Sequence, residues 1–378
     1  MHPHTLMAQA GARRDPGTGA ISMPLYFSAA FQHPALGQST GFDYSRTANP
    51  TRQVLEQTMA ALEGGARGLA FSSGLAALDA VLRLFAPGDA LVVTEDLYGG
   101  SFRLFENFYR EQGISFLYTD TSDSAAVARA LDSPGVKGLF LELPTNPLLK
   151  VADLSALADL IRNRNILFLV DNTFLTPALC RPFDYGADVT LYSATKYLSG
   201  HHDCLAGLAV TRDAGLGERL AFIQNATGAV LGPFESWLLL RSLKTLPLRL
   251  ARHGENALRV ASFLEKHPKI RNLRYPGLPS DPGYRTLARQ ASGFGGMISC
   301  EVASPAEVQR ILASLGVFLF AESLGGAESL ITYPLVQTHA DIAPETLERL
   351  GVTDCLLRLS IGLEDPEDLI ADLRAVLG

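Results

Sequence analysis

Cysteine is scarce in this chain. The four present, Cys180, Cys204, Cys300 and Cys355, are far apart and form no C-x-x-C pair, which argues against a disulfide framework or a zinc ribbon. Each reads as a small buried hydrophobe. No apolar run approaches the roughly 18 residues a membrane span needs, and the first fourteen residues carry no apolar stretch of the kind a secretory signal uses. A cytoplasmic location with no membrane partner is therefore expected. Basic blocks are also absent: 32 Lys and Arg against 39 Asp and Glu leave a net charge of −7, which argues against nucleic acid as a partner. Internal repeats and low-complexity segments are lacking too.

What is present describes a large globular chain. With 378 residues, 47% of them apolar and 19% charged, one large domain plus a smaller one is expected. The first 45 residues read as irregular, punctuated by Pro16-Gly17, Pro24, Pro34 and Gly37. Their aromatics, among them Tyr26, Phe27, Phe31 and Tyr44, favour an arm docked on another surface, since disordered tails are poor in aromatics. Asn49-Pro50 then starts a helix and Gly64-Gly65 ends it. Short apolar strands follow at 68–71, 91–94, 114–118, 138–143, 166–170, 189–192 and 205–211, alternating with helices such as 75–85, 102–112 and 154–163. Continuous apolar strands between helices indicate a mostly parallel sheet covered on both faces. Beyond residue 232 the pattern changes to a long helical stretch at 234–266, a strand at 296–302, a helix at 305–315, a strand at 356–361 and a helix at 366–377. The fold class expected is α/β, with an arm (1–45), a large doubly wound domain (46–232) and a smaller C-terminal α/β domain (233–378).

In open α/β sheets ligands bind outside the carboxyl ends of the strands, so polar residues placed there carry the functional argument. The apolar strand at 166–170 ends in Asp171, and a carboxylate at the edge of an apolar wall holds a protonated ring nitrogen well. Ser72-Ser73-Gly74 runs from a strand into an apolar helix, the geometry of a phosphate cradle. It is neither a P-loop nor a dinucleotide fingerprint. The stretch at 189–203 carries Ser193, Thr195 and Lys196 within four residues. Alone it is an ordinary strand end. Beside the other two, the two hydroxyls suit a phosphate, and a partly desolvated lysine makes a nucleophile and Schiff-base former. Together they describe pyridoxal 5′-phosphate (PLP). Arg358 lies on an apolar strand whose other face carries Leu357, Leu359 and Ile361, so it needs an anion, from a ligand or from an ion pair within the fold. The adjacent pair His201-His202 is not expected to bind metal, because neighbouring side chains on a chain do not converge.

The chain resembles the cystathionine γ-synthase family of Cys/Met-metabolism PLP enzymes over nearly its whole length. The matching stretches include Asp43-Tyr-Ser-Arg46, Asn49-Pro-Thr-Arg52, Phe71-Ser-Ser-Gly-Leu75, Asp96-Leu-Tyr-Gly-Gly100, Leu143-Pro-Thr-Asn146, Val170-Asp-Asn-Thr-Phe174, Ser193-Ala-Thr-Lys-Tyr197, Ala321-Glu-Ser-Leu-Gly-Gly326 and Arg358-Leu-Ser-Ile-Gly362. The resemblance implies PLP fold type I (aspartate-aminotransferase-like) and a homotetramer built as a dimer of dimers. It also implies roles. Lys196 would form the Schiff base and move protons. Asp171 would pair with the ring nitrogen, Tyr98 would stack on the ring, and Asn146 would lie near its phenolic oxygen. Gly74, Leu75, Ser193 and Thr195 would hold the phosphate, joined by Tyr44 and Arg46 from the neighbouring subunit, so that the arm crosses a dimer interface. Arg358, with Ser323 nearby, would bind the substrate carboxylate, and Arg103 would line the substrate pocket. The chain departs from the family in having Ala48 where Gly is common before Asn49, and in doubling His201-His202.

Within the family, Glu322 and Asp43 resemble acids of members that act at Cγ, where they would hold the ammonium of a second amino acid. The expected reaction is replacement on an O-acylhomoserine by cysteine to give cystathionine, or by sulfide to give homocysteine. Cleavage of cystathionine by a γ- or β-lyase is the alternative, and a non-catalytic binding protein of the same fold the distant one.

Overall fold

A computed structural model of the chain describes residues 1–340 and 342–378. Its first long helix, Pro50–Glu63, begins where the sequence places it. The Asn49 side-chain oxygen accepts from the N–H groups of Thr51 and Arg52 at 2.9 and 3.4 Å, and Pro50 fills a first-turn position that needs no N–H. Gly64, in the left-handed region at φ 73°, closes the helix. Val54, Leu55, Met59 and Leu62 are buried along one face, which packs on the large sheet.

That sheet has seven strands: β1 (Arg67–Phe71), β2 (Ala90–Thr94), β3 (Ser115–Thr119), β4 (Val136–Glu142), β5 (Leu167–Asp171), β6 (Val189–Ser193) and β7 (Gly207–Thr211). Their order is β1-β7-β6-β5-β4-β2-β3. Pairing is parallel from β3 through β6, and β7 runs antiparallel to both of its neighbours. Alternate residues feed two cores. Leu139, Leu141, Val170 and Tyr192 face one, while Phe140, Leu169 and Leu191 face the other. This two-sided burial is why the strands read as continuous apolar runs. Strand order reverses between β4 and β2, and the register sets Glu142 opposite Asp171 and Asp171 opposite Leu191. The switch point, where such sheets bind ligands, thus lies at the carboxyl ends of β4 and β2, with those of β5 and β6 alongside.

A second sheet has the order β10-β11-β12-β9-β8, from β8 (Arg271–Arg274), β9 (Met297–Glu301), β10 (Leu319–Phe320), β11 (Leu330–Thr332) and β12 (Leu356–Ser360). Leu357, Leu359 and Ile361 join its core with Ile298 and Cys300, so Arg358 and Ser360 face the other way, as the period of two requires.

Three expectations change. The helical stretch at 234–266 is two helices, Pro233–Leu243 and Leu246–Glu265. Pro247 lacks an N–H and its ring would clash with the carbonyl of Leu243, so the chain breaks before it. The N-terminal arm is not wholly irregular: Pro3–Ala8 is a short helix with Met7 fully buried. The helix expected at 102–112 instead runs Gly99–Leu104 and ends in a π turn, Phe105–Tyr109. Among the described residues no helix is long and apolar enough to cross a membrane.

Candidate active site

A cavity of about 210 Å³ opens at the carboxyl ends of β4, β5 and β6, and Gly74, Tyr98, Asp171, Ser193, Lys196 and Arg358 all line it. The two sheets each supply a wall. Lys196 follows β6, and its Nζ donates to Ser323 Oγ at 3.1 Å. Burial, aided by the Arg358 cation and opposed by Glu322, pulls its pKa down to about 8. A lysine so placed is an available nucleophile near neutral pH.

Asp171 ends β5, with Oδ1 accepting the Thr173 N–H at 2.9 Å. Burial pushes its pKa up to about 6, the cost of a carboxylate whose cationic partner is not a protein group. On the adjacent strand, Glu142 accepts the Tyr98 N–H at 2.9 Å. Burial and the neighbouring Asp171 raise its pKa well above the carboxylate range. The sequence reading missed Glu142, although its signal matches that of Asp171: an acid directly after the apolar run Leu139-Phe140-Leu141.

Ser73 caps the helix Gly74–Leu82, its Oγ accepting the Ala76 N–H at 3.1 Å. The first-turn N–H groups of Gly74 and Leu75 have no helical carbonyl to bond and are available to an anion. Close approach is built into this corner. A Cβ on Gly74 would lie 3.0 Å from Ser193 Cα, and one on Gly207 would lie 2.0 Å from the Ser73 carbonyl oxygen. Thr195 Oγ1 exchanges hydrogen bonds with the Ala206 carbonyl and N–H at 3.2 and 3.0 Å. A phosphate cradle, a carboxylate at the end of β5, a desolvated amine and an aromatic ring at Tyr98 form a donor set that fits PLP.

Arg358 is 2% exposed. Its Nη1 donates to Asn146 Oδ1 at 2.7 Å, and its Nη2 donates to Thr332 Oγ1 at 3.2 Å and to the Ser323 carbonyl at 3.3 Å. None of these partners is charged, and among the described residues Nε has no partner. Burial brings the guanidinium pKa down to about 10. A buried, oriented cation without a carboxylate partner suits an incoming anion better than an ion pair within the fold.

The remaining predicted residues divide. Ser323 lines the cavity, and Glu322 does so from an exposed position at its mouth. Arg103, on the helix Gly99–Leu104, is not among the lining residues, although its charge reaches Tyr98. Asp43 and Tyr44, at the end of the arm, and Arg46, just after it, are exposed and lie outside the cavity formed by their own chain. There Asp43 accepts from Ser39 Oγ at 2.7 Å and pairs with His33 at 3.1 Å. Arg46 Nη1 donates to the carbonyl and the side-chain oxygen of Asn225, both at 2.9 Å.

Comparison with known proteins identifies the family. The family model described as "Cys/Met metabolism PLP-dependent enzyme" matches residues 4–378. The chain is 48% identical over 377 residues to a cystathionine gamma-lyase of Bacillus subtilis (strain 168), covering 100% of this chain and 99% of that protein. It is also 48% identical over 376 residues to a cystathionine gamma-synthase/O-acetylhomoserine (thiol)-lyase of the same organism, covering 100% of this chain and 96% of that one. A crystal structure of cystathionine gamma synthase from Xanthomonas oryzae pv. oryzae, in complex with aminoacrylate and cysteine, superposes with a TM-score of 0.97 at 42% identity, covering 100% of this chain and 98% of that chain. The chain thus has the architecture of PLP fold type I and belongs to the Cys/Met metabolism PLP-dependent enzyme family.

Proposed function

We propose that the enzyme catalyses replacement at Cγ: it takes an O-acylhomoserine and cysteine to cystathionine and a free carboxylate, and with sulfide in place of cysteine it yields homocysteine. The observation carrying this reading is Glu322, an exposed carboxylate at the mouth of the cavity that acts electrostatically on Lys196, Arg358 and Tyr98. It makes no ion pair among the described residues. A second amino acid entering at the mouth has its ammonium to place, and this acid is the free anion there.

Bound PLP supplies an electron sink that acidifies the Cα–H and then the Cβ–H of the attached amino acid. The protein's own groups do the rest. Arg358 binds the α-carboxylate by its guanidinium fork. Asp171 would keep the ring nitrogen of the cofactor protonated and Tyr98 would cover its ring. The Lys196 amine would take the Cα proton and move protons along the substrate while the Cγ–O bond breaks, the acyl group departs as a carboxylate and the Cγ–S bond forms. The thiol proton leaves with that step. Ser323, within hydrogen-bond reach of Lys196, steadies the amine between transfers.

Cleavage of cystathionine is the second reading, favoured by the same Glu322, because cystathionine also carries a distal ammonium. A substrate panel separates them. O-acetyl- and O-succinylhomoserine with cysteine are expected to give cystathionine. If they give none while cystathionine alone yields pyruvate or 2-oxobutyrate, replacement is wrong and cleavage is right. Purified protein lacking a visible band that borohydride bleaches would overturn the enzymatic reading altogether.

The active enzyme in this reading is a homotetramer, a dimer of dimers, with each site completed by the arm of a neighbouring copy. The support is that Asp43, Tyr44 and Arg46 stand outside their own cavity, at and just after the end of an arm whose Phe27 and Leu36 are 70% and 105% exposed. The functional division into arm, PLP-binding domain (46–232) and C-terminal domain (233–378) is part of the same proposal.

A further inference from the structure

We propose that His339 is a positioning residue that fixes the carboxylate-binding fork of Arg358 through Asn146. The inference rests on the reading of Arg358 given above. His339 is 1% exposed, does not line the cavity and touches no reacting atom. Its ring is nevertheless held at both edges. Nδ1 lies 2.7 Å from Thr338 Oγ1, and Nε2 lies 3.2 Å from the main-chain oxygen of Asn146. A carbonyl only accepts, so the bond to Asn146 requires the ring proton on Nε2, with Nδ1 facing the Thr338 hydroxyl; the Leu97 carbonyl is a further acceptor beside the ring. Burial and the nearby Arg358 cation push the imidazole pKa down to about 4, so the ring is uncharged near neutral pH.

The bond to Asn146 places the side chain that matters. Asn146 Oδ1 is the shortest contact Arg358 makes, 2.7 Å from Nη1. Thr338, on the other edge of the ring, lines the cavity, and its carbonyl oxygen packs on Gly99 beside Tyr98. One uncharged ring therefore ties the Tyr98 turn to the Asn146 turn and, through it, to Arg358. The residue type follows from the chemistry. A cation here would repel Arg358, and an acid would pair with the guanidinium and take it from the substrate. An apolar residue would leave the buried Asn146 carbonyl without its donor. Only a neutral side chain with a donor on its far edge keeps the fork both aimed and free.

The test uses the PLP-loaded enzyme and butyrate, a carboxylate with no amine, titrated calorimetrically beside steady-state kinetics with the amino-acid substrate. His339→Leu is expected to weaken butyrate and raise KM for the amino acid, each by about tenfold, the effect of one lost buried hydrogen bond. Under the proposal kcat shifts by less than about threefold, and His339→Gln, whose amide restores the donor, brings both constants back within about threefold of the original. The proposal is overturned if His339→Leu binds butyrate normally, if His339→Gln is as weak as His339→Leu, or if kcat falls while KM holds. Should His339→Leu not fold, His339→Gln is compared with His339→Asn, whose amide is one methylene shorter; the Asn variant is expected to bind more weakly, and equal affinities overturn the idea. Arg358→Leu separates the two levels of argument. If butyrate affinity survives that change, the carboxylate role of Arg358 is what fails; if it is lost there yet intact in His339→Leu, only the role of His339 fails.

Discussion

Lys196 is held as an amine that gives up its proton at about pH 8 rather than the usual 10.5. The sign follows directly: burial penalises the ammonium, so the nucleophilic form dominates above that pH and is lost below it. The rate at which cofactor-free protein captures PLP, followed by the growth of its visible band, is expected to rise with pH to a plateau with a midpoint near 8. A midpoint near 10.5 would show an unperturbed lysine. Asp171 makes the opposite kind of contribution, as a fixed charge. Asp171→Asn is expected to keep the cofactor through the phosphate cradle but to lower kcat about 100-fold, in the range for removal of one preorganised electrostatic group. A variant with normal turnover at full cofactor occupancy would refute this role. Lys196, Asp171 and Arg358 were legible in the sequence because each is a charge breaking an apolar strand or standing at its end. Glu142 obeys the same rule and was overlooked. His339 was legible in no such way, because its surroundings come from three distant segments.

Among the elements, the corner where β7 starts against the turn at Ser73 leaves no room for a side chain at Gly207. Gly207→Ala is expected to cost about 1–3 kcal/mol of stability by overpacking and to speed cofactor dissociation, because it displaces the turn that presents Gly74 and Leu75. Urea denaturation and the PLP off-rate measure the two effects, and an unchanged midpoint would show that the corner yields freely. Strand and helix identities followed from local chemistry: Asn49 and Gly64 bound one helix, and Pro366–Leu377 lies where its pattern placed it. The break at Lys244-Thr245 was missed because the apolar periodicity continues on both sides of it, and Pro247 is the sole local mark. The π turn after Leu104 has no mark in composition at all. It arises where the Arg110 N–H bonds the Phe105 carbonyl at 2.9 Å while Phe105 stacks on Phe116 with ring centroids 4.5 Å apart.

On the scale of the whole molecule the prediction concerns sharing. With sites shared across a dimer, mixing Lys196→Ala subunits with Arg46→Ala subunits places both defects in one site of a hybrid and leaves the other intact. Each variant alone is expected to be strongly impaired and the hybrids to regain activity. Hybrids no more active than their parents would mean that each chain uses its own Arg46. The sequence by itself determined the family, the cofactor and the α/β class, because these rest on local patterns: apolar strands of the right length, acids and hydroxyls at their ends, and a lysine beside them. Tertiary structure decided which of these residues meet. Lys196 and Ser323 are far apart along the chain yet 3.1 Å apart in space, and Arg358 receives Asn146 from the turn that follows β4 of the other sheet. Neither pairing has a sequence period. Both follow from strand order and from the packing of two sheets, which is also where burial shifts the lysine, the aspartate and the arginine from the chemistry they would have in water.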